Sequence, residues 1–260
     1  MYKLLPLFFL SILSCKTDTV STPLNEGKQP SLKSAIEVPK ITPVQHASFV
    51  MSWGEQSIYV DPTGGSEAFA LLAEPTLILV TDIHGDHFNP QTLEQLHNEA
   101  TIIAPEAVHS LMSDGLKART QILNNNEVLS INGLQIKGIP MYNISEDRLN
   151  FHVKGRGNGY VVSKESYKVY ISGDTEDIPE MRQLKEIDLA LICMNLPYTM
   201  TPDAAADATL EFQPKKVMPY HYRGRKEGKA FYHDVDAFKA IVNTANADID
   251  VELLDWYPNG

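Results

Sequence analysis

Cysteine is scarce in this sequence, 2 in 260 residues, and that excludes a fold stapled by several disulfides. Cys15 closes the first apolar run, while Cys193 lies inside Leu189-Ala190-Leu191-Ile192-Cys193-Met194. So continuous an apolar stretch reads as a buried strand, and Cys193 as a small core residue without a partner rather than a nucleophile. Positive charge is also in deficit: 22 Lys and Arg against 33 Asp and Glu leave a formal net charge of −11. No basic stripe exists for a phosphate backbone to follow, so nucleic-acid binding is not expected. The short run Arg223-Gly224-Arg225-Lys226 reads as a solvated loop, at most one that meets an anionic substrate group. Long apolar segments are missing beyond residue 15, which leaves no candidate for a membrane-spanning helix there. Internal repeats and low-complexity segments are absent as well.

What is present is a hydrophobic content of 43%, enough to build one large core. The chain opens with Lys3, an apolar run over residues 4–13 and the ending Ile12-Leu13-Ser14-Cys15. The run is too short to span a bilayer and has the length of a signal segment. Its ending resembles a bacterial lipobox, which implies cleavage before Cys15 and a lipid on its sulfur. The expectation is an exported lipoprotein of the cell envelope, touching a membrane through that lipid; a plain secretory signal is the alternative. Residues 16–40, rich in Ser, Thr, Pro, Lys and Glu, are expected to form a flexible tether, and residues 41–260 a globular domain.

Strands are predicted over residues 48–53, 57–60, 76–80, 101–104, 134–139, 159–163, 168–171, 189–194 and 216–218. A hairpin turn falls at Gly54-Glu55. Helices are predicted over 90–98, 105–113, 178–184, 202–212 and 235–244, the first capped by Asn89 with Pro90 at its first position. Strands and helices in both halves imply a layered α/β domain, sheets inside and helices outside.

The densest chemistry follows the apolar run 76–80, in Thr81-Asp82-Ile83-His84-Gly85-Asp86-His87-Phe88. Asp82, His84 and Asp86 alternate, so an extended loop presents them on one side, and Gly85 is expected to give the tight turn that presents both His84 and His87. Imidazole with carboxylate suits zinc, manganese or iron. Three later strands deliver further polar groups at their ends: Asn143, Asp174 in Gly173-Asp174-Thr175, and His221 in Pro219-Tyr220-His221. Each alone has a bland reading, a helix cap or a satisfied core histidine; together they argue for one convergent site. Phe151–Gly159 is rich in glycine and carries His152, Lys154, Arg156 and Asn158, either a mobile loop over the site or an ordinary turn. Within it His152 is the catalytic candidate and Arg156 a substrate contact. His46 and Tyr198 are further candidate substrate contacts, and Asp61 is expected to tie loops together. His97, His109 and His233 lack ligand spacing and read as surface residues.

The motif and the order of the later ligands resemble the metallo-β-lactamase superfamily, over nearly all of the chain from Ile41. Val44-Gln45-His46-Ala47-Ser48 and Val60-Asp61-Pro62 resemble its ascorbate-6-phosphate lactonase branch, with a more distant similarity to N-acylethanolamine phospholipases. The resemblance implies an αββα four-layer sandwich, two mixed β-sheets flanked by helices, with two metal positions at one edge. It implies a hydrolase in which a metal-activated water, oriented by Asp86, attacks a small ester, lactone or phosphoester. A lipid phosphodiesterase and a non-catalytic binding protein are the alternatives. One position is implied to comprise Asp82, His84 and Asn143, the other Asp86, His87 and His221, with Asp174 between them; one or two divalent ions are expected. Asp82 and Asn143 stand where the family has histidines, which shifts the first position toward oxygen-loving ions and argues against β-lactam hydrolysis.

Overall fold

The computed structural model describes residues 36–96 and 99–258, together with Met1. The expected signal segment, Cys15, the tether as far as residue 35 and His97 lie outside the described residues. A compact unit begins at Ile36, and Lys40 already belongs to a strand.

Thirteen of the strands form two sheets. The first sheet runs in chain order: β1 (Lys40–Gln45), β2 (Ser48–Trp53), β3 (Gln56–Val60), β4 (Leu77–Leu79), β5 (Thr101–Ala104) and β6 (Thr120–Ile122). Its first three strands are an antiparallel meander turning at Gly54-Glu55, and β3 to β6 are parallel. The second sheet holds β7 (Val128–Ile131), β8 (Leu134–Met141), β9 (Gly157–Lys164), β10 (Tyr167–Ile171), β11 (Leu189–Cys193), β12 (Lys216–Tyr220) and, at its far edge, β15 (Asp250–Val251). Pairing is antiparallel from β7 to β10 and parallel from β10 outward. A separate hairpin, β13 (Arg223–Lys226) with β14 (Lys229–Tyr232), replaces the solvated loop expected there.

Both sheets are mixed and both have helices outside them, which is the expected sandwich. The alternation along β2 shows how the layers are built. Phe49, Met51 and Trp53 join the cluster between the sheets with Ile136, Tyr160 and Val162. Val50 faces the other way and packs with Tyr59, Ile78, Leu93, Val108 and Leu116. Successive strand side chains point to opposite faces, and here both faces are covered. On that outer side lie α1 (Pro90–Gln95), α2 (Glu106–Ser110) and α3 (Asp114–Lys117). Outside the second sheet, α4 (Pro179–Arg182), α5 (Pro202–Phe212) and α6 (Val235–Ala245) contribute Met181, Phe212 and Phe238 to the main core. Each such burial contributes roughly 1.5–3 kcal/mol. Side-chain oxygens start three of the helices: Asn89 accepts from Thr92 N at 2.8 Å, Thr201 from Ala204 N at 3.1 Å and Asp234 from Ala237 N at 2.8 Å.

Cys193 is free and buried in the interior strand β11, and burial pushes its thiol up to about 12. Among the described residues no helix is long and apolar enough to cross a membrane.

Candidate metal centre

The loop after β4 turns tightly, with His87 N and Phe88 N both donating to His84 O at 2.9 and 2.8 Å. Gly85 is not what permits this: it has no left-handed φ, and a Cβ there would meet nothing within 4 Å. The turn sends His87 inward and leaves His84 and Asp86 facing the cavity.

His87 is fully buried, and its two nitrogens face different groups. Nδ1 lies 2.8 Å from Asp61 Oδ2. Asp61 in turn accepts Thr81 N at 2.7 Å on Oδ1 and the Thr81 hydroxyl at 2.6 Å on Oδ2. Asp61 thus fixes the ring and tautomer of His87, with Nε2 left bare toward the cluster. Around that nitrogen stand His221 Nε2 at 3.2 Å and Asp174 Oδ2 at 3.4 Å. His221 Nε2 is 3.5 Å from Asp174 Oδ1 and 3.5 Å from Asp86 Oδ2. Ligands at about 2.05 Å from a tetrahedral ion are separated by about 3.3 Å, so the His87, His221 and Asp174 spacings are of the size a metal's ligand shell requires, with Asp86 at its edge, 4.0 Å from His87 Nε2. Asp174 Oδ1 is buried and has no hydrogen-bond partner among the described residues. A buried carboxylate oxygen left so is costly unless a cation satisfies it. The donor set and its orphaned oxygen therefore fit a divalent ion.

The electrostatics point the same way. Burial opposes a charge on His87, yet the carboxylates of Asp174, Asp61 and Asp86 outweigh it and hold its pKa well above the ordinary histidine value. Burial would raise Asp174 and Asp86, but the surrounding imidazoles hold both far below the usual carboxylate range. A pocket that so favours a proton on His87 favours a cation in its place.

Beside this group lies a second: Asp82, His84 and His152 bring ligand atoms within 4.8 Å of one another. His152 Nε2 is also 3.3 Å from Asp174 Oδ2, so Asp174 adjoins both groups. The third member is His152, which the sequence offers as a catalytic candidate rather than as a ligand, and the Asn143 Oδ1 lies buried without a hydrogen-bond partner among the described residues. Asn143 donates its amide hydrogens to Arg148 O at 3.0 Å and Tyr198 O at 2.6 Å. His152 Nδ1 meets the same Tyr198 carbonyl at 3.2 Å, so Asn143 braces the histidine from behind. The loop returns on itself, Asn143 N donating to His152 O at 2.9 Å, and this brings His152 to the place expected for Asn143. The glycine-rich segment is accordingly no lid: His152 is 1% exposed and the segment runs directly into β9.

Arg156 does not reach the cavity. Its Nε and one terminal nitrogen clamp Asp82 at 3.1 and 3.0 Å, and the same terminal nitrogen donates to Phe151 O at 2.5 Å. Asp82 Oδ2 also lies 2.7 Å from His84 Nδ1. His46 does line the cavity, with Nε2 3.3 Å from Asp86 Oδ2 and Nδ1 2.8 Å from the Tyr257 hydroxyl. Burial, with the positive neighbours His221 and Arg223, lowers its pKa to about 4, so at neutral pH the ring is uncharged. Tyr198 lines the cavity beside Phe151, the rings edge to face at 5.1 Å. His109 is half-buried, and His233, also half-buried, accepts Leu196 N at 3.0 Å; neither is a plain surface residue. Three residues of the site region, His46, Asp61 and His221, have left-handed φ of 50°, 46° and 49°. Such conformations persist where the surroundings over-determine them, and they cluster at working sites.

A family model described as the Beta-lactamase superfamily domain matches residues 40–221. A UPF0173 metal-dependent hydrolase of Thermococcus onnurineus is 32% identical over 191 residues, covering 70% of this chain and 84% of the relative. Among solved structures, a protein of Parabacteroides distasonis described as a metal-dependent hydrolase superposes with a TM-score of 0.69 at 34% identity. It covers 83% of this chain and 92% of its own. Igni18, a metallo hydrolase of Ignicoccus hospitalis, shares the fold at 23% identity, with a TM-score of 0.68 over 83% of this chain and 94% of its own.

Proposed function

The chain belongs to the metallo-β-lactamase superfamily, as one of the UPF0173 metal-dependent hydrolases, and on that premise we propose that it hydrolyses a small ester, lactone or phosphoester with a metal-activated water. The observation that supports this reading is the set of spacings among His87, His221, Asp174 and Asp86, 3.2 to 4.0 Å between ligand atoms. A divalent ion held there supplies Lewis acidity and brings the pKa of a water ligand near neutrality.

The chain's own residues do the rest. His87, His221 and Asp174 are buried, His87 is braced by Asp61, and the three would hold the ion. The Asp86 side chain is 42% exposed, the open carboxylate of the group, and its Oδ2 is kept in line by His46 and His221. Asp86 orients the attacking water and accepts its proton. Phe151 and Tyr198 form an apolar wall that positions the substrate and thins the water around it. A lactone or a phosphoester is the narrower substrate reading, resting on the resemblance of the segments around His46 and Asp61.

Elemental analysis of protein purified without added metal, followed by a hydrolase screen in that metal, tests the reading. Stoichiometric metal and turnover, both abolished in His87→Ala and Asp174→Ala, are expected; full activity in either variant would refute the mechanism. We further propose that Cys15 is acylated and holds the enzyme at a membrane surface of the bacterial envelope. Detergent-phase partitioning that is lost in Cys15→Ser is the expected result.

A further inference from the structure

The cavity in front of the metal ligands has a volume of about 520 Å³, within the range of small-molecule sites. His84, Asp86, His152 and Asp174 line one side of it, and Arg223, Gly224 and Arg225 line another. In strand β13 residues 223 and 225 share a face, and Gly224 between them points away from it. A Cβ on Gly224 would lie 2.0 Å from Leu196 O, so the backbone there is pressed against the neighbouring loop. Arg225 N donates to Leu196 O at 3.0 Å and Leu196 N to His233 Nε2 at 3.0 Å. The hairpin is a fixed wall, and it presents two guanidinium groups.

Those two differ from the other arginines of the chain. Arg148 pairs with Glu176, Arg156 with Asp82, Arg182 with Asp177, Asp207 and Glu211, and Arg119 donates to the carbonyls of Leu93 and Ala100. Among the described residues no carboxylate lies within ion-pair distance of Arg223 or Arg225, although the chain holds 33 acidic residues against 22 basic ones. Arg223 rests over the Tyr257 ring, 5.5 Å from its centre, which holds the side chain without neutralising it.

We propose that Arg223 and Arg225 form a specificity site for an anionic substituent of the substrate, a carboxylate or a phosphate remote from the bond that is cleaved. This rests on the hydrolase reading above. Neutral esters then lack the contact that holds the substrate in register with Asp86, and a planar fork of donors suits either anion.

The test is a matched pair of esters with the same scissile bond, mono-4-nitrophenyl succinate and its neutral methyl ester. The full-length wild-type enzyme is expected to favour the anionic ester at least tenfold in kcat/KM, mainly through KM. Arg223→Ala and Arg225→Ala should each lower that ratio about tenfold, Arg225→Glu should invert it, and Arg225→Lys should restore part of it. A wild-type ratio near one, or equal losses on both esters in the variants, would overturn the assignment. Calorimetric titration of the full-length protein as purified with monomethyl succinate and with phenyl phosphate gives the second readout and separates the two anions. If neither ester is turned over, the titration decides. In that case binding lost in the alanine variants still supports the anion site, and no binding to wild type refutes it.

Discussion

Replacing Asp61 by asparagine should weaken the metal centre without touching a metal-facing atom. The carboxylate is fully buried and accepts on both oxygens: Thr81 N on Oδ1, and His87 Nδ1 and the Thr81 hydroxyl on Oδ2. Asparagine keeps one acceptor and turns the other into a donor. If its oxygen takes the Thr81 N–H, its NH2 faces His87 Nδ1, which must then accept. That forces the ring proton onto Nε2, the atom 3.4 Å from Asp174 Oδ2 and 3.2 Å from His221 Nε2, where a metal needs a lone pair. If the amide flips, its NH2 opposes the Thr81 N–H in a dry site, a clash of donors costing about 1–3 kcal/mol. Loss of such a bracing carboxylate lowers metal affinity about 10–100-fold, or about 1.4–2.8 kcal/mol at 1.4 kcal/mol per tenfold. Competition with a chromophoric chelator measures it directly, and melting of the metal-free variant separates an affinity loss from unfolding. Unchanged affinity in a folded Asp61→Asn protein would refute the tautomer argument.

Arg156→Ala should lower the melting temperature of the metal-free protein, because Asp82 is left buried without its cation, and should tighten binding at the Asp82, His84 and His152 position. Calorimetric titration with zinc, reading the second equivalent, checks this. Gly159→Ala should destabilise the fold by about 1–3 kcal/mol, since a Cβ would stand 2.7 and 2.8 Å from the Ser172 and Ile171 carbonyl oxygens; thermal melting reports it. Cys193, buried and with its thiol raised to about 12, should resist alkylation by iodoacetamide at pH 8 until the protein unfolds, as read by mass spectrometry.

The elements that were legible in the sequence are those whose local pattern and tertiary surroundings agree. Strands β2 and β5 and helix α5 fall on their expected bounds, because buried strands read as apolar runs and α5 is framed by Thr201 and Pro202. Strand β13, with the sequence Arg-Gly-Arg-Lys, carries no such pattern. It is a strand because Arg223 pairs with Tyr232 and Arg225 with Ala230, a decision made by the partner rather than by propensity. The short outer strands β6 and β7 are likewise set by their partners, β5 and β8.

The site divides along the same line. His84, Asp86, His87, Asp174 and His221 stand at or just past the ends of buried strands, where side-chain position follows from chain position. The sequence offers His152 as a catalytic candidate in a glycine-rich segment, not as a ligand. Its place beside Asp82 and His84 depends on the return of the loop onto Asn143, which strand counting does not foresee. Nor could spacing show the pairing of Asp82 with Arg156, 74 positions away.

That pairing sets the two groups of ligands apart. Around His87, His221 and Asp174 no lysine or arginine contacts a ligand atom among the described residues, and an orphaned Asp174 oxygen is left for an incoming cation. At the neighbouring group Asp82 brings a negative charge where the resemblance places a neutral histidine, and the chain supplies the answering positive charge itself through Arg156. An ion entering there must share the Asp82 carboxylate with a guanidinium that cannot leave or lose its proton. The group around His87 thus begins with unanswered negative charge and the group around Asp82 begins close to neutral. Occupancy should follow that order, with the His87 position filling first and the Asp82 position only at higher metal concentration. The aspartate at position 82 therefore comes with its own counter-ion, Arg156, and the two act as a unit.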